Sequence, residues 1–395
     1  MIARVPLAQI TQINPKLPKD TDESQHVSFL AMASVSEDGR ILEQETRVLA
    51  ETKKGYTYFE RGDVLLAKIT PCFENGKAAL VDNLEYQIGY GSTEFHVLRA
   101  DPELLDSKYL FYMVWSDQFR FLGEKSMQGA AGQKRVSADF VKQFEIPLPP
   151  LAEQKRIAAI LDKADALRRK RQQAIDLADQ FLRSVFFDMF GDPVTNPKGW
   201  PTKPLSQMAS VVTGYPFKSA DYVDESAESV RLCRGANVLP GTLDWKDARF
   251  WPQERLEGLE EYLIEQDDIV LAMDRPWISS GLKVCSVNVA DVPMYLVQRV
   301  ARIRARNQAM QDLIYASIDS IAFERHCCPT ETTIPHISPV ELKAYPIFDV
   351  PPDMLELYSQ VVRTTKRKLK HFELAELESI ELFASLSQKA FSGQL

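Results

Sequence analysis

The sequence predicts an α+β protein in which two pseudo-repeated mixed α/β domains are separated by two long antiparallel coiled-coil helices. Two observations lead to this prediction. Short sequence patterns recur in the same order about two hundred residues apart, and two stretches of about forty residues contain neither proline nor glycine. The repeated parts are too long for solenoid repeats and long enough for cores of their own. The chain therefore holds two copies of one module, each followed by a long helix.

The repeat consists of collinear matches at nearly one offset. Residues 63–71 (DVLLAKITP) return as residues 268–276 (DIVLAMDRP) without a gap. Gly, Pro and Asn separate such short apolar runs, which predicts mixed β-structure with a few helices. The other matching pairs are 94–100 with 299–305, and 141–146 with 342–347.

Helical spacing is found once within each module. Tyr109, Tyr112 and Met113 fall on roughly a helical period, which predicts one helix over residues 107–121. The counterpart in the second module is residues 311–323.

The first long helix is predicted over residues 151–190, after the proline-rich stop at residues 146–150. At about 1.5 Å per residue this helix is roughly 60 Å long, too long to lie along one module, so it needs a second helix as its partner. That partner is the stretch 353–392. In heptads counted from Ile157, the apolar a, d and e positions form a wide stripe; they include Ile157, Ala164, Ala178 and Val185 at a, Ile160, Leu167, Ala174 and Phe181 at d, and Leu161, Ile175, Leu182 and Met189 at e.

The predicted division of the chain follows these patterns. The first module covers residues 1–148 and the first long helix residues 149–191. The second module covers residues 192–350 and the second long helix residues 351–395. The second helix carries two stripes, namely Tyr358, Val362, Thr365, Leu369 and Phe372, then Ile380, Phe383, Leu386 and Ala390.

The composition predicts a soluble protein of a reducing compartment. Hydrophobic residues make up 45% and charged residues 26% of the chain, which is ordinary for globular proteins. No apolar run approaches the length of a membrane helix. The five cysteines show no C-x-x-C spacing, which disfavours a zinc site or a disulfide framework and favours the cytoplasm. A net charge of −8 requires a nucleic-acid binder to concentrate its Lys and Arg or to borrow positive charge from a partner.

Catalytic signatures are absent from the sequence. It contains no phosphate-binding loop, no H-E-x-x-H and no Gly-rich cofactor turn after a strand. The Asn-Pro-Pro-aromatic run of amino-methyltransferases is also missing. His326, Cys327, Cys328 and His336 could be drawn as a metal cluster, but chance proximity explains them better. The chain is therefore predicted to bind and position rather than to catalyse.

The junction between the first module and its helix carries a family resemblance. Residues 146–157 (IPLPPLAEQKRI) resemble the point in specificity (S) subunits of type I restriction–modification systems where a target-recognition domain passes into a long helix. Residues 91–99 (GSTEFHVLR) and 213–219 (TGYPFKS), with Gly199-Trp200 and Phe190-Gly191, resemble other parts of that family. The second junction, residues 350–355, departs from the pattern because it lacks the Glu153-Gln154 pair.

The resemblance implies a DNA-specificity subunit that is not itself an enzyme. Each target-recognition domain would read one half of an asymmetric bipartite site on double-stranded DNA, and the helix pair would fix the unread spacer. The family also implies two modification (methyltransferase) subunits as partners, which carry S-adenosylmethionine and methylate adenine at N6, and in some systems restriction subunits. This chain itself is expected to hold no cofactor and no metal. Partner subunits would help to neutralise phosphates, which makes the chain's acidity acceptable.

Candidate DNA contacts are polar residues on loops at the ends of the repeated strands. In the first module, the loop 123–135 offers Gln128, Gln133, Lys134 and Arg135; the turn after the repeated strand offers Lys68, Asn75 and Lys77; and the start of the next strand offers Ser92 and Thr93. The matching places of the second module offer Arg275, Trp277, Gln298, Arg299, Thr332, Thr333 and His336, and its opening segment offers Tyr215, Lys218, Arg234 and Asn237.

Three alternatives stay open from the sequence. The same loop residues also suit solvated surface turns. The chain could be a helical adaptor without DNA specificity, or a diverged DNA-modifying enzyme. The basic clusters 168–171 and 366–370 lie in the middle of the two helices. They could contact phosphate or bind partner subunits, but the favoured interpretation is that they form solvated helix faces.

Overall fold

The structure is a computed structural model that describes residues 3–130, 132–328 and 335–395. It contains two compact units. The first consists of residues 1–173 with residues 373–395, and the second of residues 174–372. Each unit therefore contains one module and half of each long helix, a division that differs from the boundaries drawn from the sequence.

The module of the first unit runs from Arg4 to Pro147. Its elements in chain order are β1 (Arg4–Pro6), α1 (Leu7–Ile10), β2 (Thr11–Ile13), β3 (His26–Leu30), β4 (Glu45–Val48), α2 (Leu49–Thr52), β5 (Thr57–Glu60), β6 (Val64–Ala67), β7 (Ala78–Leu80), β8 (Ile88–Gly91), β9 (Phe95–Ala100), α3 (Ser107–Trp115), α4 (Asp117–Ser126), α5 (Ala138–Gln143) and β10 (Glu145–Pro147). The first long helix follows as α6 (Leu151–Phe190).

The module of the second unit runs from Thr202 to Phe348. Its elements are β11 (Thr202–Pro204), α7 (Leu205–Met208), β12 (Ala209–Thr213), β13 (Ser229–Cys233), β14 (Val238–Leu239), β15 (Thr242–Leu243), β16 (Phe250–Pro252), β17 (Leu263–Ile264), β18 (Ile269–Ala272), β19 (Trp277–Ile278), β20 (Gly281–Leu282), β21 (Val284–Ser286), β22 (Met294–Leu296), β23 (Val300–Ala305), α8 (Gln311–Ile318), α9 (Ile321–Cys327), α10 (Pro339–Ala344) and β24 (Pro346–Phe348). The second long helix is α11 (Pro352–Ser392).

The two modules share one sheet topology. In the first, a four-stranded antiparallel sheet has the order β2-β9-β6-β7, and in the second the order is β12-β23-β18-β21. Each module also has a mixed sheet around one parallel pair, β3 with β8 and β13 with β22. The central pairing keeps its register, since Val64 faces Leu98 and Ile269 faces Ile303. The repeat predicted from the sequence is thus a repeat of structure.

The central strands are buried throughout, which explains their continuous apolar sequences. All four residues of β6 and all four of β18 are buried, because both faces of each sheet are covered. In the first unit, α3 covers one face, and its residues Tyr109, Leu110 and Val114 join the core.

The single helices predicted over residues 107–121 and 311–323 are each two helices. In the first unit, Ser116 is extended, with ψ 150°, and its hydroxyl caps α4 by accepting a hydrogen bond from the Phe119 backbone N–H. In the second unit, Ser320 is likewise extended before α9. A serine that caps a new helix competes with continuation of the old one, and periodicity alone does not reveal that competition.

Within each unit the halves of the two long helices run antiparallel. In the first, Ile157 and Leu161 share a core with Phe391, while further along α6 the Arg171 guanidinium donates to the Ser379 hydroxyl of α11. In the second, Phe186 and Phe190 pack on Tyr358, with ring centroids 6.1 and 5.2 Å away. The prediction of two long antiparallel helices is confirmed.

The predicted heptad register is wrong in the middle of the helices. Leu167 and Phe181, placed at d positions, are 41% and 50% exposed. Phe372 and Ile380 of α11 are each 45% exposed. The two ends of each helix pack on modules instead of on one continuous seam, and the buried side of an α-helix drifts from a strict seven-residue repeat.

Candidate nucleic-acid interface

In the first module, three segments meet where β6 ends and β9 begins. The Lys68 N–H donates to the Glu94 carbonyl at 2.9 Å, and the Val136 N–H donates to the Lys68 carbonyl at 2.8 Å. The Thr70 N–H donates to the Lys134 carbonyl at 3.0 Å. We call this meeting point, residues 68–70, 92–94 and 133–136, the first strand-end frame. It brings together predicted contact residues that are far apart in the sequence.

An ion pair ties the side chains of the first strand-end frame together. Arg135 Nε lies 2.9 Å from Glu94 Oε2, and Arg135 Nη2 lies 2.7 Å from Glu94 Oε1. Arg135 Nη1 donates to the Gln133 carbonyl at 3.2 Å. These hydrogen bonds lower the pKa of Glu94 and raise that of Arg135. All three guanidinium nitrogens of Arg135 are therefore occupied.

Behind this ion pair lies His96, a buried histidine of β9. Its Nε2 is 2.9 Å from the Val136 carbonyl and its Nδ1 is 3.3 Å from Asn14 Nδ2. Because the amide of Asn14 donates to Nδ1, the ring carries its hydrogen on Nε2 and is neutral. Burial lowers the pKa of His96. The ring thus holds the backbone of the frame and is not a surface cation.

The second module repeats the backbone of this meeting point. The Met273 N–H donates to the Arg299 carbonyl at 2.8 Å, and the Ile337 N–H donates to the Met273 carbonyl at 2.9 Å. The Arg275 N–H donates to the Pro335 carbonyl at 3.3 Å. These bonds match those of the first module one by one. We call residues 273–275, 297–299 and 335–337 the second strand-end frame.

The second strand-end frame carries different side chains on that backbone. Arg299 stands where the first module has Glu94, and His336 stands where it has Arg135. Asp274 Oδ1 accepts from Arg299 Nη1 at 3.1 Å and lies 2.6 Å from His336 Nδ1. All three side chains are exposed. The two modules thus present different chemistry at the same position of one fold.

Two arginines of the second frame have unusual backbone conformations. The φ angle is 45° at Arg275 and 68° at Arg299. Residues other than glycine rarely adopt this left-handed region, and such residues concentrate at binding sites. Arg275 is also exposed. Both arginines therefore combine an exposed side chain with a backbone conformation that costs some stability.

Some remaining candidates of the first module are hydrogen-bonded within the module, and others are exposed. Asn75 donates to Glu37 at 2.8 Å, and the Lys77 ammonium donates to the Met32 carbonyl at 3.3 Å, so both hold the turn after β6 against residues 32–37. Ser92 accepts from the Glu94 N–H at 3.2 Å. Thr93, Gln128, Gln133 and Lys134 are exposed. The predicted loop 123–135 is in part helix, because α4 continues to Ser126.

The opening segment of the second module contributes less than predicted. Asn237 is 1% exposed; it accepts from the Arg234 N–H at 3.1 Å and donates to the Asp244 carbonyl at 3.0 Å, so it is a structural residue of its turn. Arg234 is paired with Asp247 at 2.8 Å. Tyr215 packs on Phe217 in an aromatic cluster. Asn237 and Arg234 are therefore engaged in polar contacts of the fold, and Tyr215 is half-buried in its aromatic cluster.

Other predicted residues of the second module are placed as follows. Lys218 and Gln298 are exposed, and the Gln298 N–H donates to the Tyr215 carbonyl at 2.9 Å. Trp277 is half-buried, with its ring 6.4 Å from Phe323. Thr332 and Thr333 lie outside the described residues.

Most of the mid-helix arginines are engaged within the first unit. Arg168 and Arg169 both pair with Asp165, at 2.8 and 2.5 Å. Arg171 contacts the Ala375 carbonyl and Ser379 of α11. In the second unit, Lys366 lies 3.4 Å from Asp312. Arg168 and Arg169 are therefore paired within α6, whereas Arg171 and Lys366 each connect a long helix to another helix.

Two residues of the frames were missed by the sequence prediction, Glu94 and Asp274. Each is the anion that orients an arginine. The repeat contained the signal, because it aligns Glu94 with Arg299, a reversal of charge at one position of a shared pattern.

The part of the chain that the structure describes holds no group of three or more potential metal ligands and no helix that could span a membrane.

Comparisons with known proteins show what the chain as a whole is similar to. A family model described as the type I restriction modification DNA specificity domain matches residues 4–177. The chain is 29% identical over 432 residues to the type I restriction enzyme EcoAI specificity subunit of Escherichia coli, covering 85% of this chain and 72% of that protein. It is 39% identical over 187 residues to the EcoEI specificity subunit of Escherichia coli, covering 46% of this chain and 31% of that protein.

Solved structures show the same fold over the whole chain. The S subunit of a type I restriction–modification system from M. genitalium has a TM-score of 0.56 at 15% identity, covering 98% of this chain and 96% of that one. A chain from a study of complex assembly and conformational transition of the type I system has a TM-score of 0.51 at 19% identity, covering 100% and 98%.

Residues 4–177 thus match the DNA specificity domain of type I restriction–modification systems, and the chain is similar over most of its length to a specificity subunit of such a system. The comparisons support a role in DNA specificity for this chain. The alternatives of a helical adaptor without DNA specificity and of a diverged DNA-modifying enzyme receive no support from these comparisons.

Proposed function

We propose that each module of this chain reads one half of a bipartite, asymmetric site on double-stranded DNA. One observation carries the proposal. The two strand-end frames share a backbone, bond for bond, but present Glu94 and Arg135 in one module and Arg299 and His336 in the other. A duplicated scaffold with different polar side chains suits two different base sequences, because base edges are distinguished by their donors and acceptors.

The long helices are proposed to set the unread spacer between the half-sites. Half-sites that lie on the same face of a duplex are separated, centre to centre, by about one helical turn, which is 34–36 Å, or by a multiple of it. A helix of about forty residues extends roughly 60 Å at about 1.5 Å per residue, which is enough for this task. Each unit supports the role by burying one end of each helix in its core.

The partners are proposed to be two modification subunits, which would supply S-adenosylmethionine and the N6-adenine methyl transfer, with restriction subunits in systems that cleave. The net charge of −8 favours such a complex, because the partners can neutralise phosphates that this chain cannot. We further propose a cytoplasmic location, which the five free cysteine thiols support.

A module exchange tests the proposal. Residues 1–148 are replaced by the corresponding domain of another specificity subunit, and the complex with two modification subunits is assayed by mapping methylated adenines on random DNA. The expected result is a new sequence in one half of the motif, with the other half and the spacer kept. A change in both halves contradicts modular reading. If the complex that contains the original chain shows no sequence preference, the proposal that this chain confers DNA specificity is wrong.

A matched control exchanges residues 192–350 instead. The complementary half of the motif should then change. If both exchanges alter the same half, the assignment of one half-site to each module is wrong.

A further inference from the structure

The arginines of the two strand-end frames differ in how much of the guanidinium is free. In the first module, Glu94 and the Gln133 carbonyl engage Nε, Nη1 and Nη2 of Arg135. In the second, Arg299 uses only Nη1, for Asp274 at 3.1 Å. Among residues 3–130, 132–328 and 335–395, no other hydrogen bond to the Arg299 side chain is formed. Its Nε and Nη2 edge is therefore available to a ligand.

The free edge of Arg299 is held in a fixed direction. Asp274 contacts Arg299 on one side and His336 Nδ1, at 2.6 Å, on the other. Asp274 and His336 also form an isolated β-bridge, so the carboxylate is fixed by backbone as well as by side-chain contacts. Arg299 directly precedes β23 and has a left-handed φ of 68°. A guanidinium that is ordered before binding loses less entropy when it forms two hydrogen bonds.

We propose that Arg299 reads a guanine in the half-site bound by the second module, and that Asp274 is its positioning residue. This inference rests on the proposed function. Two parallel N–H donors match the O6 and N7 acceptors of guanine in the major groove and no other base presents that pair of acceptors. With 61% of its side chain exposed, Arg299 can reach a base edge without unfolding the frame. Arg135 lacks this freedom because Glu94 occupies its fork.

The test uses the full chain in complex with its modification subunits. Binding to a duplex library with a randomised second half-site is measured at several salt concentrations for the unmodified chain and three variants, Arg299→Lys, Arg299→Gly and Asp274→Asn. The glycine variant removes the side chain and tolerates the left-handed backbone. The lysine variant keeps the charge but loses the planar fork.

The expected result is a loss of base preference at one position. Arg299→Gly should lower the preference for guanine there by about 10- to 100-fold while the first half of the motif is unchanged. Arg299→Lys should lose most of that preference with the salt dependence of binding unchanged. Asp274→Asn should cause a smaller loss at the same position. The matched control is Arg255→Gln, which removes one charge from an arginine that is 55% exposed in the same module and should keep the full motif.

Each contrary outcome has a separate meaning. If the unmodified complex shows no sequence preference, the proposed function is wrong. If it selects a bipartite motif whose second half contains no guanine, or if Arg299→Gly keeps the guanine, only the present inference is wrong. A uniform loss of affinity with the ranking of bases unchanged identifies a phosphate contact and also overturns the inference. Equal thermal midpoints of variant and unmodified chains verify that each variant is folded.

Discussion

The guanidinium of Arg304 donates two hydrogen bonds of 2.7 Å to the carboxylate of Asp268, which is 1% exposed. Asp268 also accepts from the Glu265 N–H at 2.8 Å. The first module forms the same pair between Arg99 and Asp63, with both hydrogen bonds at 2.8 Å. In each module this pair fastens the turn before one central strand to the end of its neighbour. The opposite ends of the same two strands carry the strand-end frame.

Removing the charge of Asp268 should destabilise the second unit. The Asp268→Asn variant leaves Arg304 with Glu265, 2.9 Å from its Nη1, as the remaining carboxylate partner. Because Asp268 is the buried carboxylate of the pair, its loss should cost up to about 3 kcal/mol of the free energy of unfolding. Chemical denaturation of the purified full chain measures this loss. The control is Glu356→Gln, which breaks an exposed pair with Arg363 and should change nothing measurable. If the two variants have equal free energies of unfolding, the Arg304–Asp268 pair does not contribute to stability.

Gln154 should be essential to the first junction, where the family resemblance was strongest. Its side chain is fully buried; it accepts from the Asp106 N–H at 2.8 Å and donates to the carbonyls of Leu104 and Pro149 at 2.9 and 2.8 Å. Gln154→Met keeps the volume but leaves these backbone groups unpaired, so the free energy of unfolding should fall by about 2–4 kcal/mol. The exposed Gln173→Met is the control. If Gln154→Met lowers the free energy of unfolding no more than Gln173→Met does, the structural role of Gln154 is contradicted.

The second junction has a leucine where the first junction has this glutamine. Pro351 and Leu355 stand in the positions of Pro150 and Gln154, and Leu355 is buried. A different buried glutamine, Gln311 of α8, accepts from the Ala305 N–H at 2.7 Å in the second unit. The departure from the family pattern is thus a local change of packing partner, and α11 still begins at Pro352.

The first unit should lose stability in mild acid through His96. Burial lowers the pKa of His96 below its ordinary 6.5, so the folded state binds fewer protons than the unfolded state near pH 6. Its contribution is present above pH 6.5 and is lost as the pH falls, with a slope of at most about 1.4 kcal/mol per pH unit. Unfolding measured between pH 7.5 and 5.5 should show this slope, and His96→Gln should flatten it.

The matched control for the pH experiment is His371→Gln on the exposed face of α11. It should leave the slope unchanged. The second module places Ala301 where the first has His96, so the effect is expected in the first unit alone. A pH slope that survives in the His96→Gln variant would assign the dependence to another group.

Lengthening α6 should change the spacer that the complex accepts. Four residues inserted after Ala174 add about 6 Å of helix, which corresponds to roughly two base pairs along the duplex. The mapped motif should keep both half-sites with a longer spacer, or binding should be lost because the paired halves of the helices no longer match. The same insertion after the exposed Val289 is the control and should leave the spacer unchanged. An unaltered spacer in the Ala174 variant speaks against a measuring role for the helices.

Several parts of the fold were predictable because they depend on local or collinear sequence. The repeat around Asp63 and Asp268 predicted two modules of one topology, and the stretches 151–190 and 353–392 predicted two long helices. The breaks at Ser116 and Ser320 were not predicted, since a serine also fits the interior of a helical pattern, whether its hydroxyl caps the next helix, as at Ser116, or donates to the preceding turn, as at Ser320. The exposure of apolar residues in the middle of the helices was not predicted either, because it depends on which module each end meets.

By itself, the sequence determined that one recognition fold occurs twice and that long helices follow each copy, because repeated patterns and uninterrupted helical stretches are properties of neighbouring residues. Only the tertiary structure decided which arginines are free to bind. Arg135 is committed to Glu94, 41 residues earlier, whereas Arg299 keeps an open edge beside Asp274. Partners so distant in the chain are chosen when strands pair, and the availability of a charged side chain depends on that choice.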